Sequence, residues 1–212
     1  MRILFVALAI LGFQQTNAQE RVGVFENHED VGNPKLKGSA EYKSSDQSYI
    51  IIGAGYNIWF ERDEFHFAYN KIKGDFILTA NFEFIGNGTN AHRKIGWMVR
   101  ESLDKDAVHV SAVSHGDGLT VMQWRVAKGA KMRDPEDEIF FPKNGIQIIQ
   151  LERKGKKFTM RVKTGDEPLQ VVGSHEMDSL KDEVLAGFFI CSHDETVIEQ
   201  ARIWNVSIKK SK

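Results

Sequence analysis

Hydrolysis of a glycoside takes two carboxyl groups flanking the scissile bond, and this chain carries its carboxylates in clusters. Asp63, Glu64 and Asp117 are candidates, as are Asp134, Glu136, Asp137 and Glu138 in the run Arg133–Glu138. Asp134 and Glu138 stand as the candidate catalytic carboxylates, although their spacing equally suits a solvated charged loop. The same run could gate a substrate or hold a structural calcium ion, since hard cations take several carboxylate oxygens. It lacks the Asp-x-Asp-x-Asp-Gly order of an EF-hand loop, so calcium has no specific motif and no other cofactor is indicated. His28 and Asp30 share one side of an extended segment and could belong to an acid–base or metal site, or to a surface loop. The seven histidines show neither a helical His-x-x-x-His pattern nor Cys/His spacing, so zinc has no positive support. No nucleophile elbow precedes Ser114 or Ser192. Cys191 is the only cysteine. It sits in the apolar run Leu185–Cys191, which reads as a core strand, and an internal disulfide is impossible.

The elements that must position these groups are strands. Apolar and polar residues alternate through 65–70, 76–84, 95–100, 108–113, 119–126, 146–153, 158–163, 184–193 and 202–208, a two-residue period. Phe, Val and Ile, which suit a pleated surface, dominate several of these runs. Gly86-Asn-Gly88, Gly116-Asp-Gly118, Asn144-Gly145, Lys154-Gly155 and Thr164-Gly-Asp166 punctuate them as turns. Lys128–Glu138 is the longest expected loop. Many strands at this spacing, without a long helical pattern, argue for two stacked antiparallel sheets. Placing the apolar parity inward (Phe65, Phe67, Tyr69, Trp97, Trp124 and Trp204 among it) turns the other parity out. That outward set is His66, Arg100, His109, Ser111, Gln123, Arg125 and His193. On neighbouring strands these residues would form a cationic, polar patch suited to a polyhydroxylated ligand: Arg forks and a Gln amide give directed hydrogen bonds, and His gives a donor or an acceptor. The alternative is the ordinary polar exterior of a half-exposed sheet. Trp59, beside a charged turn, is the tryptophan expected to be exposed and to cover a sugar face.

The order of motifs carries a resemblance. Gly55-Tyr-Asn-Ile-Trp59 leads into Asp63-Glu-Phe-His-Phe67, then Gly74-Asp-Phe76, then Lys94-Ile-Gly-Trp-Met-Val-Arg-Glu-Ser102. His109, Gly118-Leu119, Ile149-Gln-Leu-Glu-Arg153, Phe158 and Ala186-Gly-Phe-Phe-Ile-Cys-Ser-His193 follow. This is similar to a family of exported bacterial concanavalin A-like domains, related in fold to laminin G modules and pentraxins. Such domains are appended to secreted glycoside hydrolases and TolB-type propeller proteins. The resemblance covers roughly residues 49–208. It implies an all-β jelly-roll sandwich of two antiparallel sheets and the handling of carbohydrate or another polymer. It does not imply catalysis, because fold alone does not set function.

Composition bounds the rest. The formal net charge is −1, which gives no general attraction for nucleic acid or anionic lipid. Met1-Arg2, an apolar run Ile3–Phe13, and small residues Thr16 and Ala18 are the parts of a secretory signal peptide, residues 1–18, cleaved before Gln19. The apolar run is shorter than the roughly 20 residues a membrane span needs. The expectation is one domain over 19–212, exported to the periplasm or beyond, without membrane insertion after cleavage. Three functions compete: a carbohydrate- or polymer-binding module, a small glycan-active enzyme such as a glycoside hydrolase, and a structural module with an envelope protein partner. If the outward patch binds the ligand, replacing Arg100 and His109 together by Ala should weaken binding and leave the thermal transition nearly unchanged.

Overall fold

Alternating apolar residues make strands, and the computed structural model, which describes residues 21–210, holds strands and no helix among those residues. The expected signal segment, residues 1–18, lies outside the described residues. In chain order the strands are β1 (Asn27–Val31), β2 (Ser39–Lys43), β3 (Ser48–Gly55), β4 (Ile58–Trp59), β5 (Arg62–Asp63), β6 (Phe65–Lys73), β7 (Phe76–Ile85) and β8 (Lys94–Arg100). They continue as β9 (His109–His115), β10 (Thr120–Arg125), β11 (Glu138–Phe141), β12 (Ile146–Lys154), β13 (Lys157–Thr164), β14 (Gln170–Glu176), β15 (Glu183–Cys191) and β16 (Asp194–Lys210). A front sheet runs β1-β6-β15-β8-β9-β10-β11 and a back sheet runs β14-β13-β12-β7-β16-β3-β2, all pairs antiparallel. Strands β4 and β5 form a separate small hairpin. The fold is the expected jelly-roll sandwich.

The main core lies between the sheets. Trp97, Phe188, Phe82, Phe158 and Tyr49 fill it, and Trp97 Nε1 donates across it to the Ile149 carbonyl at 2.9 Å. The back sheet obeys simple alternation. In β7, Phe76, Leu78, Ala80 and Phe82 are buried while Ile77, Thr79, Asn81 and Glu83 are partly or fully exposed. The front sheet is different, because both of its faces are covered. A second apolar cluster, with Phe65, Phe67, Met98, Val113, Val121 and Phe189 at its centre, lies on the side away from the back sheet, capped by Ile58 and Val31.

That second layer corrects two assignments of direction. Phe65, Phe67 and Tyr69 face away from the inter-sheet core, so His66 points into the sandwich instead of out of it. Its register partner is Ile190, a core residue, its ring lies against Gly38 and its Cβ against Gly53. There His66 Nδ1 bonds Asp30 Oδ1 at 2.7 Å and Nε2 meets His28 Nδ1 at 3.1 Å. His28 and Asp30 thus lie on β1 as partners of His66. On β16 it is Ile203 that enters the core. Trp204, expected inside, is only half-buried and sits beside the Arg202 guanidinium.

Candidate functional site

The outer face of the front sheet carries two polar groups at different depths. At one end of the strands, register places Arg100, His109 and Arg125 in one row. The structure brings these expected ligand residues together, but none is open to solvent: their exposures are 0%, 0% and 1%. Asp63 of the β4–β5 hairpin is the reason. Arg125 clamps it with two bonds, Nη1–Oδ2 at 2.7 Å and Nη2–Oδ1 at 2.6 Å, and Arg100 Nη2 reaches Oδ2 at 3.5 Å. Most other donors of the two guanidiniums bind loop carbonyls, while Arg100 Nη1 is buried without a partner. Arg100 takes Ser102 and Asp104, while Arg125 takes Phe60, Ala107 and Ala130. Burial pushes the Asp63 carboxyl up, against the pull of Arg125 and Arg100. Burial, reinforced by the two arginines, holds His109 well below its usual value, so the ring is neutral. This row staples a hairpin and two loops onto the sheet. The expectation of a solvent-facing patch is therefore corrected for Arg100, His109 and Arg125. Ser111 is also sealed, its Oγ directed at the Gln123 carbonyl at 3.4 Å.

Toward the other end of the same strands the face opens. A cleft of about 280 Å³ is lined by Asn57, Trp59, His92, Lys94, His115, Leu119, Gln123, Asp134, Glu138, Phe140 and His193. That volume lies near the low end of small-ligand sites, roughly 300–1,000 Å³. Lys94 of β8 pairs in register with His115 of β9 and Cys191 of β15, while Gln123 of β10 pairs with Glu138 of β11. Strands thus supply the floor. The walls come from the turn at Asn57–Trp59, the segment before β8 holding His92, the loop holding Asp134, and the β15–β16 turn. In that turn His193 takes a left-handed φ of 59°, which the tight reversal requires.

Five expected residues meet here: Gln123, His193, Trp59, Asp134 and Glu138. Gln123, expected to face solvent, is instead sealed at the cleft base with 1% exposure, its Nε2 tied to the Ile58 carbonyl of the β4–β5 hairpin at 3.0 Å. Burial, and then neighbouring Asp134, raise Glu138 to about 7. His193 is held down to about 4 by burial and then by Lys94, and burial holds His115 far below its usual value. Lys94, itself lowered to about 8 by burial, is 3% exposed. Its ammonium donates to Asn57 Oδ1 at 2.8 Å, the His92 carbonyl at 3.1 Å and His193 Nδ1 at 3.1 Å. His92 Nδ1 lies 3.5 Å from His115 Nδ1. No group of three or more metal-ligating side chains is poised for an ion among the described residues.

Sequence reasoning did not single out Lys94, His115, His92 or Asn57. Alternation contained the first two. Lys94 shares the parity of Gly96, Met98 and Arg100, and His115 that of His109 and Ser111. His92 and Asn57 lie between strands, where no period applies.

No protein-family model matches the chain, and no curated protein matches it in sequence. Solved structures match its fold. A functionally unknown protein from Saccharomyces cerevisiae superposes with a TM-score of 0.62 at 13% identity, covering 87% of this chain and 97% of that one. A family 7 alginate lyase in complex with substrate gives 0.53 at 9%, covering 81% of each chain. Lectin II from Ulex europaeus gives 0.53 at 8%, covering 89% of this chain and all of that one, 100%. At such identities the likeness concerns the fold, a concanavalin A-like jelly roll.

Proposed function

We propose that this protein is an exported carbohydrate-binding jelly roll, acting in the periplasm or outside the cell, whose ligand seat is the cleft between Trp59 and His193. One observation carries the reading. Imidazole and amide groups, a carboxyl pair and the rings of Trp59 and Phe140 converge on a single open cleft. Sugars need both, since their hydroxyls take directed hydrogen bonds and their ring faces take aromatic cover. The named activities of two fold neighbours, a lectin and a lyase acting on alginate, support a glycan as the partner. The seat lies in the outer polar face expected from the sequence, moved toward the strand ends opposite the arginine row.

A second reading, a glycan-active enzyme, has its own support in Glu138. A carboxyl raised to about 7 opposite neutral imidazoles is matched to proton transfer near neutral pH. Asp134 and Glu138 do not form the flanking pair of a glycoside hydrolase, whose carboxyls stand about 5–9.5 Å apart. Asp134 acts on Glu138 directly, through a side-chain hydrogen bond and its charge. The test is a glycan panel presented to the protein without its first 18 residues, scored for retention and for release of new sugar ends. Retention that Trp59→Ala abolishes supports the binding module. Release that Glu138→Gln abolishes supports the enzyme. Failure to retain or cleave any glycan, with an envelope protein recovered instead, overturns both.

A further inference from the structure

We propose that the cleft selects a sugar bearing an oxyanion, a uronate carboxylate or a sulfate ester, whose charge is met by Lys94 and whose oxygens are met by ring N–H groups of His193 and His92. The inference rests on the cleft being a glycan seat. It begins from a missing counter-ion. Buried lysines are almost always paired, because an uncompensated ammonium in a low-dielectric site is costly. Lys94 is buried on the cleft floor, yet the three acceptors around its ammonium, Asn57 Oδ1, the His92 carbonyl and His193 Nδ1, are all neutral. Among the described residues no carboxylate lies within ion-pair distance of it. Asp117 and Glu138 act on it only through longer-range Coulomb attraction. The cleft opens beside this charge, so the counter-ion can arrive with the ligand.

The imidazoles complete the receptor. An ammonium has three donors and no lone pair. His193 Nδ1 therefore accepts from Lys94, and the ring proton of His193 sits on Nε2. For the His92–His115 contact, His115 Nε2 is buried without a partner. A bare lone pair there costs less than an orphaned N–H, so His115 donates through Nδ1 and His92 accepts at Nδ1. The ring proton of His92 then also sits on Nε2. Neither the His92 nor the His193 Nε2 has a protein partner among the described residues, and both rings line the cleft. One side of the cleft thus offers a cation and two N–H donors. The other offers Asp134 and Glu138 as acceptors for hydroxyls, with Trp59 and Phe140 as apolar walls. An anionic group at one end of a hydroxylated ring is the shape of ligand that satisfies every part.

The measurement is calorimetric titration at pH 7 with oligogalacturonate against its fully methyl-esterified form, and with a sulfated galactan oligosaccharide against its desulfated form. Within a pair the sugar skeleton is the same and the anionic group is either masked as its methyl ester or removed. A charge-assisted contact in a buried site corresponds to a preference of about ten- to a hundred-fold. The inference expects a preference of that size in at least one pair, and the pair showing it identifies the anion. Lys94→Met, which keeps the stem and removes the charge, should bring the two affinities of that pair together. Because this replacement takes the donor from Asn57, the His92 carbonyl and His193, it is read alongside its thermal transition, and a second variant tests the same receptor where Lys94→Met fails to fold. His92→Ala, on an exposed segment, should shrink the preference without abolishing it. Equal affinities within both pairs overturn the inference while leaving the glycan seat standing, and so does a preference that survives Lys94→Met. Absence of binding to all four probes overturns the inference, whereas the glycan seat falls only if the wider panel also fails.

Discussion

Glu138 is where the chemistry of single residues becomes measurable. Its folded-state value, about 7, lies above the ordinary 4.5, chiefly because the carboxylate form is poorly solvated on the cleft wall and secondarily because Asp134 stands beside it. Below pH 4.5 the group is protonated folded or unfolded and makes no difference. As pH rises from about 4.5 to 7 the unfolded chain releases the proton first, so this group lowers stability across that window and no further above it. Glu138→Gln should therefore flatten the fall. Thermal midpoints of wild type and variant should agree near pH 4 and diverge by pH 8, with the variant higher. Midpoints that stay parallel from pH 4 to pH 8 would show that Glu138 titrates as an ordinary surface carboxyl. Burial acts on Lys94 in the same way, disfavouring its charged form and lowering the cation to about 8, so each group is only partly charged in the cleft between pH 7 and 8.

Among the elements, the front sheet decides what could be read from sequence and what could not. Alternation locates strands without knowing what covers them. In β7 it also gives direction, because only one side of the back sheet is buried there. In β6, Phe65, His66, Phe67, Ala68 and Tyr69 are all buried, so the larger side chains mark the outer cluster and not the inter-sheet core. His66 was misdirected for that reason. Arg100, His109 and Arg125 were given the correct face, but a hairpin and two loops roof it, and alternation within a strand holds no record of a roof. Asp63, the residue that draws the roof down, lies in a two-residue strand too short to show a period. The consequence is a changed outcome for the arginine row. Replacing Arg100 and His109 together by Ala should collapse the thermal transition, not spare it. Asp63→Asn, nearly isosteric, isolates the charge: it leaves two buried guanidiniums without a counter-ion, a loss of about 3–5 kcal/mol for a broken buried pair. Urea unfolding of Asp63→Asn checks this. A midpoint near that of wild type would mean the guanidiniums are satisfied by the loop carbonyls alone.

At the scale of the whole molecule, the sandwich stands without covalent staples. Cys191 is its one cysteine, so stability comes from the core between the sheets and the second apolar layer outside the front sheet. Cys191 belongs to that second layer, at 0% exposure, beneath the cleft floor and next to Lys94 in register. Its Sγ faces the Gly55 carbonyl at 3.5 Å, and burial raises the thiol to about 11, so the reactive thiolate is scarce in the folded state. β15 lies near the centre of the front sheet, between β6 and β8. Exposing its thiol requires those strands to part and the outer cluster to open, which amounts to losing the sandwich. Labelling of Cys191 by a thiol reagent at pH 8 should therefore be slow in native buffer, and its urea dependence should coincide with the fluorescence transition of the four tryptophans. If labelling instead proceeds at low urea, well before the tryptophan signal moves, the outer layer opens independently of the inter-sheet core. The cleft built upon it would then be a locally mobile seat and not a preorganised one.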